Sequence, residues 1–165
     1  QYNKMVDVDQ NKKAVKKFKE AGIWVHGMLI VGGDGDTPET LQETLQWARA
    51  NLDSAQFFTH MLLPRTIFAK QMKEARRMLI KDWRYCDGHH VLMRPKHMTP
   101  YQLQSTILKM YKEFYSIWDI GHILRSPIKK IDIALRFYAH FYLGLNNIER
   151  DPQMSAYLGM LQGLN

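Results

Sequence analysis

The sequence contains a single cysteine, Cys86, among its 165 residues. One thiol excludes an intrachain disulfide, and by itself it excludes a cysteine-bound zinc ion or iron–sulfur cluster. The seven histidines form no recognisable metal-ligand pattern such as HExxH. No apolar run reaches the roughly 18–20 residues of a membrane-spanning helix, and no signal-peptide pattern opens the chain. These absences predict a cytoplasmic protein without a metal site of its own.

Positive charge is abundant, with 23 Lys and Arg residues against 16 Asp and Glu residues and a formal net charge of +7. One interpretation is contact with RNA, because basic residues alternate with Trp83 and Tyr85 between residues 76 and 96. Another is contact with a membrane surface through residues 128–143, where lysines adjoin many apolar side chains. A helix of that composition also docks on a neighbouring domain or on a missing partner segment, which is the favoured interpretation. We expect nucleic acid to be the less favoured partner.

The first half of the chain alternates helical and strand patterns. Residues 9–21 have apolar side chains at helical spacing, and Ile23–Val31 is an apolar run typical of a strand buried on both faces. Thr37 and Pro38 then predict the start of a second helix, and Ala55–Leu63 predicts a second strand. The order helix, strand, helix, strand is that of an α/β fold with parallel strands.

The second half is predicted to be mostly helical. Residues 66–81 have a basic helical pattern, and Thr99 is placed to cap a long helix. Further helices are predicted at 127–143 and 151–161. We therefore divide the chain into an α/β part over residues 1–80, an irregular connection over 81–98 and a helical extension over 99–165.

Two strands are too few for a closed barrel, because a complete eight-stranded barrel takes about 250 residues. We therefore expect the α/β part to be the C-terminal part of a partial (β/α) barrel, with the remaining strands preceding residue 1.

The segment after the first strand is rich in glycine and acid: Gly32-Gly33-Asp34-Gly35-Asp36. Ligands of parallel α/β folds bind at the C-terminal ends of the strands, where this loop falls. The loop contains no Lys or Arg, so it suits a ligand carrying amine or hydroxyl groups better than a phosphate. The alternative is a tight turn between strand and helix, capped by Thr37.

Several stretches together resemble the C-terminal part of radical S-adenosylmethionine enzymes. The subgroup in question has a cobalamin-binding domain upstream and includes anaerobic magnesium-protoporphyrin monomethyl ester cyclases, hopanoid methylases and proteins called Fe–S oxidoreductases. The matching stretches are Tyr2-Asn3-Lys4, Ala14–Thr40, Leu62–Thr66, Asp82–Thr99 and Tyr111–Ser116.

The resemblance implies specific cofactors and residue roles. In this family a [4Fe–4S] cluster on a CxxxCxxC loop reduces S-adenosylmethionine to a radical that abstracts a substrate hydrogen. The strand and loop at 23–36 resemble the family's fifth barrel strand. By that likeness Ile30 packs against adenine, Gly32 and Gly33 give it room, and Asp36 holds the acidic position of the motif.

The sequence also departs from the family pattern. In the usual Pro-Gly-Thr turn, Pro64 and Thr66 match, but Arg65 replaces the glycine. The three cluster cysteines are absent. The resemblance thus implies the C-terminal portion of a parent enzyme that performs radical C–H functionalisation, either methylation or oxidative cyclisation, on a small-molecule substrate. We expect this chain alone to be inactive without the N-terminal barrel half; whether the parent uses cobalamin is left open.

Overall fold

A computed structural model describes residues 8–126, 128–142 and 144–164. The Tyr2-Asn3-Lys4 stretch lies outside the described residues, as do Pro127 and Leu143. The helices are α1 (Val8–Glu20), α2 (Pro38–Asn51), α3 (Ile67–Glu74), α4 (Pro100–Phe114), α5 (Ile120–Arg125), α6 (Lys129–Phe137) and α7 (Pro152–Gln162). The strands are β1 (His26–Ile30) and β2 (Ser54–Phe58). Short 3₁₀ helices cover Trp83–Tyr85 and Leu145–Arg150, and a π-helical turn covers Tyr138–Tyr142.

The two strands pair in parallel, which confirms the predicted mixed α/β fold with parallel strands. The register runs from His26 opposite Ser54 to Ile30 opposite Phe58. Both strands are shorter than predicted. Beyond β2, the Thr59 amide donates to the Gly88 carbonyl oxygen, 2.7 Å away.

Two helices cover one face of this sheet. Leu41 and Leu45 of α2 and Ile107 of α4 form a buried core with Ala55 and Phe57 of β2. On the opposite face, Met28 is 68% exposed and Ile30 is 56% exposed. The prediction that the first strand is buried on both faces is therefore wrong for the described part of the chain. Helices α2 and α4 both cover the same face of the sheet, and the other face is exposed.

The outer edge of β2 is closed by the hydroxyls of Tyr111 in α4 and of Tyr115, the C-cap residue of that helix. The Tyr111 hydroxyl accepts a hydrogen bond from the Phe57 amide at 2.9 Å and donates to the Phe57 carbonyl at 3.2 Å. The Tyr115 hydroxyl makes the same pair of bonds with Ala55, at 3.1 and 2.8 Å. The spacing fits because four helical residues rise about 6 Å and two strand residues about 6.6 Å. No described residue pairs in this way with the outer edge of β1.

Both predicted helix starts are confirmed with their caps. The Thr37 hydroxyl accepts from the Thr40 amide while the Thr40 hydroxyl accepts from the Thr37 amide, and Pro38 occupies the first turn. Thr99 and Gln102 form the equivalent capping box at the start of α4. Each box satisfies amide groups that a helix leaves unpaired at its first turn.

The segment between β2 and α4 differs from its prediction. The helix predicted over 66–81 ends at Glu74, and the chain returns as an extended segment in which Met78 bridges Met93. The Arg94 amide donates to the Arg77 carbonyl at 2.8 Å, which holds the two segments side by side. Tertiary pairing therefore overrides the helical pattern of residues 75–81.

Helix α6 places charged side chains inside and apolar ones outside. Asp132 is 2% and Arg136 1% exposed, and the Arg136 guanidinium donates to the Phe114 and Ser116 carbonyls at 2.8 Å each. Ile131 and Phe137 are more than half exposed. No helix in the described ranges is long and apolar enough to cross a membrane.

The double change Tyr111→Phe and Tyr115→Phe tests the closed edge. Each change removes the group that satisfies one amide and one carbonyl, and an unsatisfied buried polar group costs about 1–3 kcal/mol. We expect urea unfolding to show the double variant less stable by about 2–4 kcal/mol. Tyr101→Phe is the matched control on the same helix, because its hydroxyl makes no hydrogen bond within the described residues. Equal stability of double variant and control would contradict the role of this edge.

Alkaline pH tests the same contact. Burial raises the pKa of Tyr111 to about 12 and also raises the pKa of Tyr115. The folded state therefore holds the tyrosine proton more tightly than the unfolded chain, so stability declines as pH rises from about 10 to about 12. We expect this decline to be shallower in the double variant when unfolding is followed by circular dichroism, with Tyr101→Phe again as control.

Candidate functional site

The predicted site residues lie together at the C-terminal end of β1. Ile30 is the last residue of the strand, and Gly32 to Asp36 form the loop that leads to Thr37 and α2. The segment after β2, residues 59–66, lies beside this loop, with the His60 ring near Gly33. This is the edge at which parallel α/β folds bind their ligands.

Asp36 organises the loop through its side-chain carboxylate, which binds backbone amides of the loop. Its Oδ2 atom accepts from the Gly32 amide at 2.7 Å and from the Gly33 amide at 2.8 Å. The Asp36 amide in turn donates to the Gly33 carbonyl at 3.1 Å. The structure thus brings three of the predicted residues into one hydrogen-bonded turn, and the shape of that turn depends on the carboxylate.

Two features favour glycine at position 32: the backbone conformation there and the close approach of Leu103. Its φ of +86° lies in the left-handed region, and a Cβ there would sit 2.6 Å from Leu103 Cδ2 of α4. At Gly33 a Cβ would meet the His60 Nε2 atom at 3.6 Å, an ordinary contact. The space at Gly32 therefore serves the packing of α4. Its predicted contact with a ligand stays a prediction.

Ile30 ends β1 on the uncovered face of the sheet. Its side chain is 56% exposed, and Phe58 is its partner in the strand register. An exposed apolar side chain at the C-terminal end of a parallel strand suits an aromatic ligand ring. The predicted contact with adenine is consistent with this placement and stays a prediction.

The loop has basic partners that sequence spacing did not reveal. The Asp34 carboxylate pairs with the Arg77 guanidinium at 2.6 Å and with the Lys96 ammonium at 2.8 Å. These hydrogen bonds, that of Arg77 first, hold the pKa of Asp34 well below its usual range. The loop itself contains no Lys or Arg, but the fold places two cations from distant parts of the chain beside it. The pairing of residues 77–79 with 92–94 brings both cations to the loop, and no local pattern signals it.

His60 is a further residue of this edge that sequence reasoning did not select. Burial lowers its pKa, and the nearby Asp36 and Asp34 carboxylates only partly oppose this effect. The ring is therefore predominantly neutral at pH 7. His60 lies inside the strand predicted over Ala55–Leu63, and it falls at the ligand-binding edge because β2 ends at Phe58.

The turn after β2 keeps the form expected for a glycine. Arg65, which replaces the glycine of the family turn, has a φ of +64° in the left-handed region. The Thr66 hydroxyl donates to the Leu63 carbonyl at 2.6 Å and accepts from the Ala69 amide at 3.2 Å, which makes Thr66 the N-cap of α3. Arg65 and Thr66 line a cavity beside this turn.

The segment from Asp82 to His90 serves mainly to hold the chain in place. The Asp87 carboxylate accepts from the amides of His89 and His90 and from the His90 ring. The His90 and Tyr157 rings pack edge to face with centroids 4.6 Å apart. Asp82 and Trp83 line the cavity beside Arg65.

The basic residues between 76 and 96 are largely committed to intramolecular partners. Besides Arg77 and Lys96, Arg84 pairs with Asp82 at 2.6 Å, and Arg94 donates to the Leu164 carbonyl at 2.6 Å. These contacts engage four of the six basic residues in this stretch, although the Arg84 side chain stays 82% exposed. Within the described ranges, no group of three or more His, Cys, Asp or Glu side chains is placed to hold a metal ion.

Comparison with known proteins identifies relatives of the predicted kind. The chain is 29% identical over 115 residues to an anaerobic magnesium-protoporphyrin IX monomethyl ester cyclase of Cereibacter sphaeroides, covering 69% of this chain and 18% of that protein. It is 27% identical over 114 residues to the cyclase of the same name from Rubrivivax gelatinosus, covering 68% and 20%. An uncharacterized methyltransferase of Pyrococcus horikoshii is 28% identical over 113 residues, covering 68% and 25%. No family model and no solved structure matches the chain.

These relatives confirm the resemblance to the subgroup of radical S-adenosylmethionine enzymes that includes the anaerobic cyclases. The matched stretch spans only about a fifth to a quarter of each relative's length.

Substitution of Gly32 by alanine tests the loop. The change forces a Cβ into the left-handed region and against Leu103, so we expect a loss of about 2–4 kcal/mol in the free energy of unfolding. Gly35→Ala in the same loop is the matched control, because a Cβ there meets nothing within 4 Å and its φ is not in the left-handed region. Similar unfolding curves for the two variants would contradict the packing assigned to Gly32.

Proposed function

We propose that this chain is the C-terminal portion of a radical S-adenosylmethionine enzyme that functionalises a C–H bond of a small-molecule substrate. Methylation and oxidative cyclisation are the two leading reactions, in line with the methyltransferase and cyclase names of the relatives. The parent is an oxidoreductase or a methyltransferase, with cobalamin as an optional further cofactor and the cytoplasm as its expected location.

The uncovered edge of β1 supports this proposal best. The outer edge of β2 is closed by Tyr111 and Tyr115, whereas no described residue pairs with the outer edge of β1. A partial barrel would continue at that edge, with the N-terminal barrel half as the partner. The small share of each relative that the chain matches agrees with this arrangement.

The residues present fit one cofactor of this family and not the other. Ile30 offers an exposed apolar surface for adenine at the C-terminal end of β1, next to the turn held by Asp36. The single cysteine, Cys86, does not provide the three ligands of a [4Fe–4S] cluster. In the parent enzyme the cluster and S-adenosylmethionine together supply the radical. In this chain Ile30 would position the nucleoside, and Asp36 would hold the loop that borders it.

Reconstitution provides the first test. We expect the 165-residue chain, incubated with iron, sulfide, dithionite and S-adenosylmethionine, to form no 5′-deoxyadenosine, because the cluster ligands are supplied by another segment. The sequence upstream of the codon for Gln1 should encode a CxxxCxxC motif in frame. Production of 5′-deoxyadenosine by this chain alone would overturn the proposal.

Once the upstream segment is included, the Ile30→Asp variant tests the adenine contact. A carboxylate against the adenine face removes apolar burial, so we expect S-adenosylmethionine binding about tenfold weaker by calorimetry. Ile120→Asp is the matched control, since Ile120 is similarly exposed, at 63%, but lies on α5. Equal affinities of the two variants for S-adenosylmethionine would contradict a contact between Ile30 and adenine.

We further propose that residues 128–142 contact an anionic membrane surface. Helix α6 and the following turn expose Ile131, Phe137 and Phe141, while the lone acidic residue of α6, Asp132, is buried. Lys129 and Lys130 are exposed at the start of the helix. Apolar side chains flanked by cations are typical of helices that lie in a membrane interface.

Vesicle co-sedimentation separates this contact from docking on a partner segment. We expect binding to phosphatidylglycerol vesicles that weakens with added salt, and little binding to phosphatidylcholine vesicles. The Phe137→Asp variant should lose most of this binding, whereas Ile67→Asp on the exposed side of α3 should retain it. The absence of binding to either vesicle would leave docking as the function of this face.

A further inference from the structure

A cavity of about 500 Å³ opens beside the turn that follows β2. Its floor is apolar and belongs to a small second core that includes the buried residues Leu62, Ala69 and Leu92. Two large apolar side chains stand at its walls largely exposed: Ile67 at 77% and Trp83 at 62%. A ligand with an apolar body would be stabilised in this cavity, because binding would remove the apolar surfaces of both from water.

The rim of this cavity is cationic. Its lining includes the exposed basic residues Arg65, Lys70, Lys73 and Lys81, of which Lys70 pairs with Glu74 at 3.9 Å. The one acidic residue of the lining, Asp82, uses both carboxylate oxygens on Arg84, which lies outside the lining. The cavity therefore combines an apolar floor with an excess of positive charge, which complements an apolar molecule that carries an anionic group.

Arg65 holds a backbone conformation that favours glycine. A φ of +64° is costly for a residue with a Cβ. Arg76 shares this conformation, so it is the place of Arg65 in the cavity lining that assigns it a role. Glycine would adopt this conformation without that cost. Arg65 instead adds a cationic side chain to the lining of the cavity.

We propose that this cavity binds an apolar carboxylate, whose carboxyl group pairs with Arg65 and whose apolar body lies between Ile67 and Trp83. A planar guanidinium matches the two oxygens of a carboxylate. A phosphate site would use free amides at the start of α3, but the Ala69 amide is already bound by the Thr66 hydroxyl at 3.2 Å. That the bound carboxylate is the substrate of the parent enzyme rests on the proposed function.

Three matched probes test the ligand class on the 165-residue chain. Calorimetry would compare 2-naphthoate, the neutral 2-naphthamide and 2-naphthyl phosphate. We expect 2-naphthoate to bind about tenfold more tightly than the amide, the difference expected for loss of one charge-assisted contact. Equal affinity of 2-naphthoate and 2-naphthamide would overturn the proposal. Tighter binding of 2-naphthyl phosphate than of 2-naphthoate would also overturn it and would indicate a phosphate ligand.

Arg65→Gly separates binding from folding. Glycine relieves the backbone cost, so we expect the melting temperature to rise by about 2–4 °C while 2-naphthoate affinity falls about tenfold. Arg76→Gly is the matched control: Arg76 has a φ of +55° and is exposed, but it does not line the cavity. It should gain similar stability without loss of affinity. Unchanged 2-naphthoate binding by Arg65→Gly would overturn the role of Arg65.

Trp83→Ala tests the apolar wall. We expect it to weaken 2-naphthoate and 2-naphthamide by similar factors, because both share the ring system that Trp83 covers. These measurements use neither the cluster nor S-adenosylmethionine. A failure of the radical chemistry would therefore leave them unchanged, and a failure of probe binding would leave S-adenosylmethionine binding by the parent intact.

Discussion

The contact between the two α4 hydroxyls and the outer edge of β2 constrains most of the molecule. Tyr111 and Tyr115 each satisfy one amide and one carbonyl that a further strand would otherwise satisfy. An unpaired edge inside a packed fold would be costly, and an exposed one invites association. Helix α4 thus replaces a neighbouring strand, and the sheet can gain strands only at the outer edge of β1.

The same helix links the sheet to the site. Leu103 fills the space that Gly32 leaves, so the loop after β1 is held against α4. The Gln104 side chain accepts from the Val91 amide at 2.9 Å and donates to the His89 carbonyl at 3.0 Å, which fixes the irregular segment before the helix. The capped start at Thr99 brings both contacts to the C-terminal ends of the strands. One long helix therefore positions both the glycine–acid loop and the segment that carries Trp83.

Local signals in the sequence predicted the elements whose own residues determine them. The caps at Thr37 and Thr99 and the parallel strands followed from spacing and turn chemistry. The pairing of Asp34 with Arg77 and Lys96 joins residues far apart in the chain, so no local pattern reveals it. The end of α3 at Glu74 was missed for a related reason, since the pairing of residues 77–79 with 92–94 outweighs helix propensity. Helix α5 was also not predicted, although its N-cap Asp119 is a local signal.

Two departures from local rules coincide with the surfaces for which we propose ligands. Arg65 adopts a backbone conformation suited to glycine, and α6 buries Asp132 and Arg136 while exposing Phe137. A chain selected for stability alone would place glycine at 65 and apolar residues on the inner face of α6. Natural sequences break such rules chiefly where function requires it. The glycine–acid loop, by contrast, obeys them: Asp36 and Gly32 stabilise their own turn. The nucleoside contact that we propose at this edge therefore depends on the exposed Ile30 rather than on the loop carboxylates.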